Sequence, residues 1–152
     1  MEKGKEYRIV LPEDKFATIK FKKSLMKPGV GIINQGLADF RPREVFGWYC
    51  EVLCRIEKTK FNGLPTDAEL QTLYEFEDIL NGMVKGPDVD HPNGLFVGHL
   101  ICDGVMKLMW MVNNPEEVNN KFQSYIQSDS YLRRFQYCME PDPEWKSIQH
   151  FL

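Results

Sequence analysis

Three histidines, four cysteines and two groups of carboxylates are the side chains of this sequence with chemistry to offer. His91, His99 and His150 form no H-E-x-x-H or comparable ligand spacing. His99 falls in an apolar strand segment, where a histidine is expected to be buried with a hydrogen-bond partner. Asp88, Asp90 and His91 gather in a loop whose spacing misses the calcium-loop pattern and reads as solvated. Glu75, Glu77 and Asp78 share one helical segment. Two carboxylates divide acid and base work only where their environments separate their pKa values, and ordinary charge patterning makes this a solvated helix face. Cys50, Cys54, Cys102 and Cys138 each lie in apolar surroundings, and the first two lack the second pair a zinc site requires. Four free thiols in a reducing compartment are expected. No G-x-S-x-G, Walker or dinucleotide fingerprint occurs. The sequence therefore nominates no catalytic, cofactor-binding or metal-binding residue.

The 152 residues are one domain's length, and 43% are hydrophobic. Lys plus Arg is 19 against 22 Asp plus Glu, a net charge of −3. That balance argues against a nucleic-acid partner. Lys15, Lys20, Lys22, Lys23 and Lys27 cluster early, and Arg133-Arg134 opens the last strand. The RNA-recognition signature is missing from residues 105–112, so these cations read as solvated or partner-facing. The opening residues 1–6 are charged and lack the apolar stretch of a secretory signal. No window approaches a membrane span. A cytoplasmic location without membrane contact is expected.

The elements follow from local pattern. Alternation in Phe16-Ala17-Thr18-Ile19-Lys20-Phe21-Lys22 predicts a half-buried strand, with a turn at Lys27-Pro28-Gly29 and a returning strand through Ile33. The nearly continuous apolar run from Val45 to Ile56 predicts a central strand. Thr66-Asp67-Ala68-Glu69 is a capping box opening an amphipathic helix of about four turns, ended by Gly82, Gly86 and Pro87. Asp103-Gly104 predicts a two-residue hairpin turn in which Cys102 opposes Val105, His99 opposes Leu108 and Val97 opposes Trp110. Leu95, Val97, His99 and Ile101 then share the core face with Met106, Leu108, Trp110 and Val112. Leu100, Cys102, Val105 and Lys107 lie on the other face. Asn114-Pro115-Glu116-Glu117 starts a second helix, Tyr131 to Met139 reads as a strand, and residues 141–152 read as a short helix docked by Trp145. One domain over residues 1–152 is expected: an N-terminal β extension to residue 44, a core over 45–140 and the docked helix. The order strand, helix, strand, strand, helix, strand predicts an α+β ferredoxin-like βαββαβ sandwich, here with an N-terminal β-hairpin and a short C-terminal helix.

Several motifs carry a family likeness. These are the Trp48-led strand, Asn62-Gly63-Leu64-Pro65-Thr66 before a helix bearing Glu77-Asp78, Leu95-Phe96-Val97-Gly98-His99 leading to Asp103-Gly104, and Asp142-Pro143-Glu144-Trp145. The segment resembles the domain-of-unknown-function family number 695. It is similar in layout to the family that inhibits ribonuclease E, its regulator B. His99 departs from the Arg that this resemblance leads one to expect. The resemblance implies a ferredoxin-like fold and a partner-binding role, and no catalytic residues. The expectation is a non-catalytic cytoplasmic domain, regulatory in character, acting by contact with a protein partner through Arg133, Arg134 and Trp145. The alternative is an RNA- or small-ligand-binding module using an open sheet face.

Overall fold

Alternating side chains carry Phe16–Ser24 (β1) and Lys27–Asn34 (β2) into the expected antiparallel hairpin. The structure, a computed structural model, describes residues 7–152. The charged opening, on which the missing secretory signal was read, lies outside the described residues. Leu25 and Met26 make the turn, and Lys27-Pro28-Gly29 already belongs to β2. Pro28 is tolerated there because β2 begins pairing with its other neighbour only at Gly29, so its missing N–H breaks no bond on that side.

Trp48–Arg55 (β3) is a central strand, paired on both edges, and is apolar except for half-buried Glu51 and exposed Arg55 at its end. Asp67–Lys85 (α1) starts at Thr66, whose Oγ1 accepts from the Glu69 amide at 3.3 Å. The expected return bond from Glu69 to the cap amide does not form. The Thr66 amide donates instead to the Lys58 carbonyl at 3.0 Å, which frees the Glu69 carboxylate for other partners. Gly94–Cys102 (β4) and Val105–Val112 (β5) meet at the two-residue turn, with φ of 52° at Asp103 and 77° at Gly104. Pro115–Gln127 (α2) is capped by Asn114, and Phe135–Pro141 (β6) starts later than the expected Tyr131.

Among the described residues six strands form one antiparallel sheet in the order β1-β2-β4-β5-β3-β6, and with two α-helices the fold is α+β. One sheet face carries both helices. Leu73, Phe76, Leu80 and Val84 of α1 and Val118 and Phe122 of α2 pack with Cys50, Val52, Leu108 and Trp110. The register of the β4–β5 hairpin holds from Cys102 back to Gly98, opposite Met109. Phe96, not Val97, then opposes Trp110. Val97 is an extra residue, a β-bulge, and it moves Leu95 and Val97 to the opposite face from the one expected while Phe96 joins the helices. Gly98 permits this: its φ is 149°, and a Cβ there would lie 2.0 Å from the Ile32 carbonyl oxygen. Gly98→Ala should cost about 2 kcal/mol, because strain and a backbone clash combine. Gly104→Ala meets open space and should cost about 1 kcal/mol. Urea titration of the two variants checks the ranking.

The second sheet face is only partly open. Tyr7, Ile9 and Leu11, with Leu37, Phe40, Phe46, Trp145 and Ile148, cover Ile33, Tyr49, Leu95, Val97, Met109 and Met111. The expected helix over 141–152 is absent. The Asp142 carboxylate accepts from the amides of Lys146 and Ser147, each at 2.9 Å, and Trp145 has φ of 62°, which helical backbone does not allow. A single 3₁₀ turn, Gln149–Phe151, follows. Trp145 does dock, and completely: its side chain has no exposed surface, and its Nε1 donates to the Phe46 carbonyl at 2.9 Å. That corrects its nomination as an interaction surface, since a fully covered ring has nothing to present to a partner.

Candidate interaction face

Where the covering segments stop, the turn end of the second face is open. Phe21 of β1, Leu53 of β3, Leu100 and Cys102 of β4 and Val105 of β5 floor a shallow depression of about 460 Å³, edged by Lys23, Asp103 and Lys107. Strand alternation and register place them together. Leu53 opposes Lys107 across the β3–β5 pair, and Leu100 opposes Lys107 across β4–β5. Phe21 reaches over Gly29, which has no side chain to hold it away.

Ion pairs order the edge. Asp103 Oδ2 receives Lys23 Nζ at 3.0 Å and Lys27 Nζ at 3.3 Å, and these two ammonium groups hold its carboxyl below the usual range. Lys107 Nζ lies 3.4 Å from Glu51 Oε1, which also accepts from the Tyr49 hydroxyl at 2.8 Å. The Gly104 amide donates to the Gly63 carbonyl at 3.0 Å, which seats the Lys60–Gly63 turn beside the hairpin. Leu25, Met26 and Phe61 are exposed at the neighbouring loop tips.

Of the residues nominated from sequence, only Arg134 stands free at the surface, beside a small depression with Ile126, Asp129 and Tyr131. Arg133 points into the molecule and is corrected from a contact residue to an internal cation. Its Nη2 lies 2.5 Å from Glu69 Oε1 and its Nη1 3.1 Å from Glu57 Oε2. Glu69 is buried and also accepts from the amides of Glu57 and Lys58, at 2.5 and 3.2 Å. Desolvation pushes its carboxyl up, but the Arg133 bond and the two amides outweigh that and hold it below the usual value. The cluster ties the β3–α1 connection to the entry of β6.

His99 is buried and its Nδ1 bonds to Glu77 Oε1, with the Tyr74 ring 6.1 Å away. This is the hydrogen-bonded core histidine expected, and it separates Glu77 from the exposed Glu75 and Asp78. Asp88 Oδ2 lies 3.2 Å from His91 Nδ1 at the mouth of a cleft of about 800 Å³ bounded by Tyr7, Lys85, Asn93 and Asn114. Burial, then Asp88, pushes the Tyr7 phenol up to about 12, and its hydroxyl donates to the Pro92 carbonyl at 2.6 Å. Among the described residues the cleft lining includes no serine, threonine or cysteine for an Asp–His pair to activate.

The four cysteines are free. Burial pushes Cys50 up, and pushes Cys54 up to about 12 against the opposing pull of Arg133. In native protein, a thiol reagent should label only Cys138 and, more slowly, half-buried Cys102, and all four after unfolding. Native labelling of Cys50 or Cys54 would contradict this packing.

The face and fold define an α+β domain with a partly covered sheet and an apolar, ion-edged opening. Over residues 27–152 the chain matches the family of unknown function DUF695, and it belongs to that family. The match spans the whole face except Phe21 and Lys23. No curated protein and no solved structure matches the chain.

Proposed function

We propose that this domain acts without catalysis, by contact with a protein partner at the open end of its second sheet face. The observation that carries this is the apolar floor of Phe21, Leu53, Leu100 and Val105 inside a charged edge, the arrangement typical of protein interfaces. A single aromatic ring on the floor does not favour stacked bases, which need a series of them. The order β6-β3-β5-β4, with both helices on one face, supports a ferredoxin-like reading of the unit from β3 to β6. The likeness in layout to the ribonuclease E inhibitor family favours a regulatory contact, and the free thiols favour a cytoplasmic one. Among the described residues no helix is long and apolar enough to cross a membrane.

The test is capture from nuclease-treated source lysate with wild-type and Leu53→Asp baits. Wild type should retain one protein reproducibly, and Leu53→Asp should lose it with its melting temperature unchanged. Retention by both baits, or association that nuclease abolishes, would count against the proposal.

A further inference from the structure

The charge of the open end runs against that of the chain. Lys23, Lys27, Arg55, Lys58, Lys60 and Lys107 are at this end, in a protein of net charge −3. Its carboxylates are largely committed: Asp103 to two lysines, Glu51 to Lys107 and Glu57 to Arg133. Asp67 offsets these cations without cancelling them. Among the described residues Arg55, Lys58 and Lys60 take part in no ion pair. Arg55 borders the floor directly, opposite Val105. Leu25 and Phe61, 89% and 94% exposed, extend apolar contact beyond it.

Resting on the partner-contact reading, we infer that the partner is an acidic protein segment: an apolar anchor on the floor, flanked by carboxylates that meet Arg55, Lys60 and their neighbours. Such charge complementarity steers encounter and excludes basic competitors, and salt weakens it. The floor supplies what the cations cannot, since it takes an apolar side chain and a bare polyanion offers none.

The test selects random peptides displayed on phage against wild type, Leu53→Asp, and Arg55→Glu with Lys60→Glu. Both cations of the last variant are exposed and unpaired, so its fold should persist; if its melting temperature drops, Arg55→Gln with Lys60→Gln replaces it. Wild type should enrich peptides with acidic residues around an apolar one. Leu53→Asp should lose them, and charge reversal should weaken a synthetic copy at least about tenfold, with affinity falling as salt rises. Neutral or basic peptides that tolerate charge reversal but not Leu53→Asp would overturn the acidic partner and leave the contact reading standing. Enrichment insensitive to Leu53→Asp would overturn both. Binding of polyuridylate or phosphatidylserine vesicles, with no acidic peptide enriched, would assign the cations to another class of anion and overturn the proposal.

Discussion

Trp145→Ala is expected to lower stability by about 4 kcal/mol, the cost of emptying a large buried aromatic site. The ring stacks on Phe40 at 5.6 Å, lies under the Arg43 guanidinium and bonds through Nε1 to the Phe46 carbonyl. Residues 141–152 contain a single 3₁₀ turn, and Trp145 is the largest of the side chains that pack them on the sheet, beside Ile148 and the Asp142 amide bond to the Gly47 carbonyl. Loss of the ring should therefore also expose Leu95, Val97 and Met111 and raise binding of an apolar dye. Trp145→Phe keeps most of the packing but leaves a buried carbonyl without its donor, and should cost about 2 kcal/mol. Urea titration measures both. A Trp145→Ala loss below about 1 kcal/mol, the scale of an ordinary surface change, would contradict the docking described.

The second large effect is at Arg133. Arg133→Met leaves the Glu69 carboxylate buried without its cation, a change that costs about 3 kcal/mol near neutral pH. The pH dependence has a definite sign. Glu69 is held below its unfolded value, so its contribution is full above about pH 4.3 and is lost as pH falls through the folded value. The variant lacks most of that contribution, so its deficit should be widest at neutral pH and shrink on acidification. Adding Glu69→Gln should recover much of the loss, because no uncompensated charge then remains and the side-chain oxygen can still accept from the Glu57 and Lys58 amides. A deficit that grew in acid would refute the pairing.

What was legible in the sequence was local. The Thr66 and Asn114 caps and the Asp103-Gly104 turn each depend on residues within a few positions, and each forms as its chemistry dictates. The bulge at Val97 was hidden because it depends on the Ile32 carbonyl approaching Gly98 from another strand. The helix expected over 141–152 failed because the positive φ of Trp145 is set by docking, not by propensity. The face divides the same way. Leu100, Cys102, Val105 and Lys107 share a side as soon as the turn is known. Phe21 and Leu53 join them only through the β1–β2–β4 and β3–β5 registers. Arg133 and Arg134 are indistinguishable as types, yet one is fixed inside by Glu69 and the other faces solvent. A buried carboxylate at the start of α1 was the missing cue, and capping logic assigned Glu69 elsewhere.

Hydrogen–deuterium exchange of the domain, alone and with its captured partner, tests the contact claim most directly. Protection should appear on partner binding in residues 18–24, 51–56 and 99–107, the strands and turn that build the open end, with α2 and the Asp88–His91 loop unchanged. Protection confined to that loop and its cleft, with residues 99–107 exchanging as in the free domain, would contradict it.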